Sequence, residues 1–329
     1  MKWLMFGACV ALVFSGCSQK KYFDPEDVQG SLEYRKFVVT NDLVQYSSDG
    51  GTYDKDLIVS ANGIQNVSLK PGYQFINEND SKILAANAYN QLVVIEGDEH
   101  TTYTFDKNII NGAIKNDLLL VGFTDNSMTL YDTKQGQVKL KEYFQESILN
   151  DTRIANPIFL DTIALYPTLD GKLAIIDLKT FQIIRTINID PDSQIRNIIY
   201  FKTVNDIMVA ATSNKLFVFG GSNVASKDLD IKQVVVKDKM IYVTTLDGQI
   251  IKYDFDLKEQ ARQKFRFAKF MALASGDEYI YAVESQEYII RLDLDLKNYI
   301  VTDFSFDENE KIFALEDKIY FEDKYIQVP

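Results

Sequence analysis

Thiols, imidazoles and indoles are nearly missing from this chain of 329 residues, which holds two cysteines, one histidine and one tryptophan. Cys9 and Cys17 both fall in the first apolar stretch and its end, so the body beyond them has no thiol for a disulfide, a metal site or a nucleophile. With His100 alone, a Ser-His-Asp triad or a histidine metal site would have to be assembled around one position. His100 lies in Glu96-Gly97-Asp98-Glu99-His100, read as a connection between two strands, and is given no catalytic role. Positive charge is short as well: 35 Lys and Arg against 47 Asp and Glu leave a net charge of −12, which repels nucleic acid and anionic lipid. Long helical patterns are almost absent, which removes an α/β fold.

What is present is a repeated phrase: an apolar strand, a polar turn, a second apolar strand and an acidic residue at its end. It reads Leu118-Leu119-Leu120-Val121 into Met128-Thr129-Leu130-Tyr131-Asp132, and again Ile163-Ala164-Leu165 into Leu173-Ala174-Ile175-Ile176-Asp177. Further copies end at Asp254 and Asp293, with weaker ones at 83–96, 207–219 and 312–322. The turns carry Asp-Gly, Asp-Asn or Ser-Asn, which tolerate positive φ in a tight hairpin. A period of roughly 40 residues, with fainter strands on each side of the hairpin, has room for four strands. Sandwiches show no such period, and solenoids repeat at about 20 to 30 residues per coil. The expected fold is therefore an all-β propeller of four-stranded antiparallel blades covering 31–329. Seven hairpins plus a unit at 31–69, with strands at 37–39, 43–46 and 57–60, give eight blades, with seven as the alternative. The short last unit, 311–329, implies that the N-terminal segment adds a strand and closes the ring.

Residues 1–16 stand apart from this pattern. Lys2 is followed by an apolar run from Trp3 to Phe14, too short for a membrane span of about 20 residues, and it reads as an export signal. Phe14-Ser15-Gly16-Cys17 resembles the bacterial lipobox, which makes Cys17 the acylated first residue of the mature chain, carrying diacylglycerol and an N-acyl lipid. Two or three acyl chains hold a protein stably on a bilayer, whereas one does not. Ser18 after the cysteine implies outer-membrane sorting, with the body facing the periplasm. The segment from 18 to 30 has little apolar surface and reads as a flexible tether of at most about 45 Å.

No constellation of catalytic groups emerges. Acidic pairs at Asp228/Asp230, Asp254/Asp256 and Asp293/Asp295 do not complete a calcium loop, and an aspartate at a strand end is expected to accept backbone N–H bonds in the following turn. Gly50-Gly51 and Gly220-Gly221 lack the strand and helix of a phosphate cradle and are read as turn glycines.

The wording Asp170-Gly171-Lys172-Leu173-Ala174-Ile175-Ile176-Asp177-Leu178-Lys179-Thr180 resembles the repeat of pyrroloquinoline-quinone-type propellers. Together with the lipobox and tether, it resembles the lipoprotein branch of that group, the BamB family of scaffolds in the outer-membrane β-barrel assembly machine. The resemblance implies a non-enzymatic scaffold without a cofactor, partnered by a BamA-like subunit and by nascent outer-membrane proteins. The quinone site of the enzyme branch needs a tryptophan floor and a vicinal disulfide, which the mature chain does not have. Family contact loops are similar in position to 106–112 and 147–157, and the second matches better. On that basis Leu149, Asn150, Asp151 and Arg153 are the candidate partner-binding residues. The other reading is a periplasmic lipoprotein propeller that binds a small ligand, a glycan or another envelope protein, with a concave polar funnel at its centre.

Overall fold

The computed structural model describes residues 21–30, 42–54, 57–67, 69–147, 153–220, 223–307 and 310–329. These form eight antiparallel sheets in chain order, at 43–66, 74–104, 109–143, 158–188, 200–228, 231–264, 270–303 and 312–327, numbered here as blades 1 to 8. The first seven have four strands, and the last shows three among the described residues. There is no α-helix among the described residues.

Burial explains why each blade takes this form. In blade 3 the second strand, Leu118–Phe123, is buried along nearly its whole length, whereas the outermost, Gln137–Tyr143, alternates between exposed and half-buried residues. The strands legible as continuous apolar runs are thus the middle ones, covered on both faces by neighbouring blades. Every seam of the ring has its own apolar cluster, including the one between blades 8 and 1, where Phe313, Leu315 and Tyr320 meet Leu43, Tyr53 and Val59. Closing a sheet array in this way leaves no sticky face at either end of the chain.

The repeated strand-end aspartates do what turn chemistry requires. Asp132 accepts the Gln135 N–H at 2.8 Å, Asp177 those of Lys179 and Thr180 at 3.0 and 2.6 Å, and Asp254 those of Asp256 and Lys258 at 3.0 and 2.9 Å. The tight hairpins carry positive φ at Asn126 and Gly248, where a Cβ on Gly248 would strike the Phe265 carbonyl. Beside Gly248, burial works against ionisation of Asp247, but hydrogen bonds from Lys264, Thr245 and Gln249 outweigh it and hold the carboxyl down to about 2. A carboxyl depressed in the folded state contributes stability above its unfolded value near 3.8, and that contribution is lost as pH falls towards 2. Asp247→Asn is therefore expected to flatten the fall in Tm between about pH 4 and pH 2 relative to the parent chain. A parallel acid profile in the two proteins would contradict this.

Three sequence expectations need correction. Gly50 and Gly51 lie inside the strand Gly50–Tyr53, not in a turn, because a Cβ on Gly50 would meet the Val59 carbonyl and the Phe75 ring. His100 is an exposed residue of the outer strand Glu99–Thr104, paired with Ile95, and the turn is at Gly97-Asp98. The expected loop 106–112 is mostly strand, since Ile109–Lys115 already belongs to blade 3. The strand expected at 37–39, and with it the N-terminal strand expected to complete blade 8, lies outside the described residues, as do the signal 1–16 and Cys17.

The stretch read as a tether is docked over its described part. Phe23 is buried edge-on against Phe265 and Tyr288, with ring centroids 6.1 and 5.8 Å away, and joins the apolar cluster between blades 6 and 7. Gln29 donates its N–H to the Val301 carbonyl at 2.8 Å, and Asp303 donates to Gly30 at 3.2 Å, so residues 29–30 run along the outermost strand of blade 7. Phe23→Ala is expected to release this strap locally. The amides of Gln29 and Asp303 should then exchange at least about tenfold faster while blade 3 is unchanged, as measured by hydrogen exchange.

Candidate functional site at the central channel

The first strand of each blade faces the axis, and side chains from opposite sides of the ring meet there. Asn156, just before the first strand of blade 4, donates to Asp49 Oδ2 of blade 1 at 2.7 Å and to the Ile76 carbonyl of blade 2 at 2.9 Å. Its Oδ1 accepts the Gly112 N–H of blade 3 at 3.1 Å. One carboxamide therefore joins four blades. Other amides stitch neighbours in the same way: Asn77 to the Gly112 carbonyl at 3.0 Å, Asn111 to Ala155 at 2.9 Å, Asn197 to Arg153 at 2.7 Å and Gln233 to Met271 at 2.9 Å. An amide suits this place because it supplies donors and an acceptor without a charge to desolvate.

A second bridge crosses the ring between blades 5 and 8, where Lys202 Nζ lies 2.7 Å from Glu316 Oε1. Both side chains keep more than a third of their surface, so the pair is worth only about 0.2–1 kcal/mol and acts mainly to position its members. Asp49 is half-buried, and burial pushes its carboxyl above the ordinary range, opposed by hydrogen bonds from Asn156 and Ser48 and by the charge of Lys202. Burial also raises the Tyr200 phenol, reinforced by the carboxylates of Glu316 and Asp49.

Beside the Lys202–Glu316 bridge lies a cavity of about 530 Å³, walled by blades 1, 5, 6, 7 and 8 and by the connection into blade 4. Arg153 belongs to this wall and donates to the Lys232 carbonyl across blade 5. The sequence placed Arg153 in a partner-binding loop, and the structure turns it into the channel. Leu149, Asn150 and Asp151 lie outside the described residues. The connection 144–157 that holds all four is the longest between blades. Its first residue, Phe144, stacks on Tyr166 at 5.7 Å, and its last turn is fixed by Asn156. Sequence reasoning passed over Asn156, Asp49 and Lys202; the signal was a carboxamide at or just before the first strand in each of blades 2 to 6. Among the described residues, no three His, Cys, Asp or Glu side chains gather as metal ligands.

Architecture and channel together define a closed eight-bladed β-propeller whose axis is crossed by side-chain bridges. No family model matches the chain. In sequence it is similar to the plasminogen-binding protein PgbB of Helicobacter pylori strain J99, at 24% identity over 96% of this chain and 70% of that protein. In structure it is similar to BamB from Moraxella catarrhalis, with a TM-score of 0.65 and 13% identity over 90% of this chain and 99% of that one. It is also similar to the C-terminal WD40 domain of Sif2, with a TM-score of 0.63 and 12% identity over 92% of this chain and all of that domain. The chain has the propeller of BamB, and at this identity the likeness carries the fold alone.

Proposed function

We propose that the chain is a lipid-anchored, protein-binding propeller of the bacterial envelope, a non-enzymatic scaffold that assists assembly of outer-membrane β-barrels. The observation that carries this reading is the mounting of the 144–157 connection. Its two ends are fixed on Tyr166 and on the Asn156 bridge, so residues offered to a partner stand on a rigid frame. The acidic body has no electrostatic pull towards anionic lipid, which leaves attachment to acyl chains on Cys17. Because Phe23 is docked, the chain between it and Cys17 spans at most about 20 Å, so the seam of blades 6 and 7 is held close to the membrane rather than hanging clear of it.

The test is photo-crosslinking in the native envelope from a reactive amino acid at position 151, beside Cys17→Ala in palmitate labelling. Expected results are a crosslink to the barrel-assembly subunit and loss of label in the variant. The similarity to PgbB makes plasminogen the second candidate partner, and it is read on the same samples. Capture of plasminogen without a crosslink to the assembly subunit would replace the scaffold role, and label retained without Cys17 would overturn the anchor.

A further inference from the structure

Lys21, the first of the described residues, follows Cys17 by four positions, so at most about 14 Å of backbone separates it from the cysteine. The surface around it has an unusual make-up. Phe267 lies in the connection from blade 6 to blade 7, at the third place of a tight turn closed by the Ala268 N–H on the Phe265 carbonyl at 3.2 Å, with φ at 66°. That place suits glycine or asparagine, and a bulky side chain there costs free energy. Leu257 and Leu296 accept the same conformation, with φ at 56° in each, and both are buried in apolar clusters. Phe267 is exposed and joins none of the apolar clusters among the described residues, so packing does not account for it. Its ring is flanked instead by two cations, Arg266 at 4.7 Å and Lys21 at 5.6 Å from the centroid, and neither is ion-paired to a carboxylate among the described residues. Tyr22, the next residue, is 59% exposed. Leu246 is 62% exposed, in the hairpin of blade 6 whose Gly248 packs against the backbone of Phe265 and Ala268.

We propose that this corner of the ring rests in the interface of the membrane that holds the anchor, with Tyr22, Leu246 and Phe267 at the boundary of headgroups and acyl chains and Lys21 and Arg266 among the headgroup phosphates. The proposal rests on the reading of Cys17 as acylated. Aromatic rings beside long basic side chains are the usual composition of that layer, where an apolar body and a charged tip are both satisfied. Asp24 and Glu287 lie at the same corner, around Tyr288, so it is not a basic patch, and the contact is apolar rather than drawn by anionic lipid. The 144–157 connection also runs from an outermost strand to the next innermost one, so it opens on the same end of the ring, but three seams away. A ring that touches the bilayer at the seam of blades 6 and 7 is tilted, which keeps that connection clear of the surface and open to a partner.

Once the signal carrying Trp3 is removed the chain has no tryptophan, so one introduced at this corner reports alone. The acylated chain with Phe267→Trp is placed in phosphatidylcholine vesicles with brominated acyl chains, beside the chain with Tyr89→Trp, an exposed position in the hairpin of blade 2 across the ring. Quenching of about twofold is expected at 267 and none at 89, for side chains lying ~5–10 Å into the boundary. It should persist at about 1 M salt, where charges are screened within ~3 Å, and fall to the level of position 89 when Tyr22→Asp and Leu246→Asp are added. Both of those positions are exposed, so the ring itself stays intact. No quenching at 267, equal quenching at both positions, loss of it in salt, or aspartates without effect would each overturn the proposal. Flotation of the same vesicles separates the two readings. A chain that floats with an unquenched reporter keeps its anchor and loses this contact, whereas one that does not float rejects acylation of Cys17 as well.

Discussion

Phe321→Ala is expected to destabilise the ring by about 4 kcal/mol, near the upper part of the range for removing a buried phenylalanine ring. Phe321 is 1% exposed and its ring centroid lies 4.9 Å from that of Phe304, which closes the seam between blades 7 and 8 with Phe306, Ile312 and Val328. Among the described residues blade 8 has three strands of four residues each, and so two ladders where the other blades have three. Side-chain packing has to hold it instead. Across its other seam a run of rings, Tyr46 on Phe313 and Phe313 on Tyr320, stacks at 5.1 and 4.9 Å. In an array where each blade contacts only its neighbours, opening one seam of blade 8 exposes apolar faces on both sides and removes the closure. At about 2 °C per kcal/mol for a domain of this size, Tm should fall by roughly 8 °C. Hydrogen exchange should show protection lost first in blades 7 and 8. A fall under about 2 °C, or loss of protection beginning in blades 3 to 5, would mean that the ring does not open here.

The hairpins were legible because their physics is local. Leu118–Phe123 and Ser127–Asp132 follow from an unbroken apolar run, a turn with Asn126 at positive φ, and a second run, all within a few residues. The blade count follows from counting them. The outer strands were fainter for an equally physical reason: Glu99–Thr104 is solvent-facing and carries no apolar run, so it was legible only as a faint strand over 100–105, with the turn before it drawn too long. Gly50 and Gly51 misled because glycine marks turns in sequence, while here it makes room for Phe75 and Phe313 against the strand. The channel was least legible of all. Asp49 and Asn156 are 107 residues apart in sequence, and neither has a local pattern that announces the other. In sequence Asn156 only closes the 147–157 connection before Pro157, and the one pointer towards the axis is the recurrence of amides near the start of successive first strands.

The channel bridge also has consequences for any partner. The 144–157 connection returns to the body at Asn156, whose bridge holds that end together with the bonds from Asn111 to Ala155 and from Asn197 to Arg153. Substitutions there are expected to loosen partner binding even though Asn156 is buried and touches no partner itself. Removing a mount raises the ordering cost of the loop on binding and shortens the lifetime of the complex.

Asn156→Ala is accordingly expected to cost about 3–4 kcal/mol at neutral pH, the sum of two neutral hydrogen bonds and one to a carboxylate. The Gly112 N–H and the Ile76 carbonyl lose their partner, and Asp49 loses a donor that opposes the effect of burial on its carboxyl. The pH dependence has a definite sign. Asp49 is already raised above 3.8 in the folded state, and removal of Asn156 raises it further, so the folded chain binds its proton more tightly than the unfolded chain. Stability is then lost as pH rises through the folded value, and the deficit of Asn156→Ala should be smaller at about pH 4 than at about pH 7. Adding Asp49→Asn to Asn156→Ala removes the uncompensated charge and should recover part of the loss, giving a coupling of about 1–2 kcal/mol in a double-mutant cycle. Denaturant titrations of the four proteins at both pH values measure this directly. If the two substitutions add without coupling, or the deficit is the same at both pH values, the Asp49–Asn156 contact does not carry the energy assigned to it, and the channel is held by the remaining amides alone.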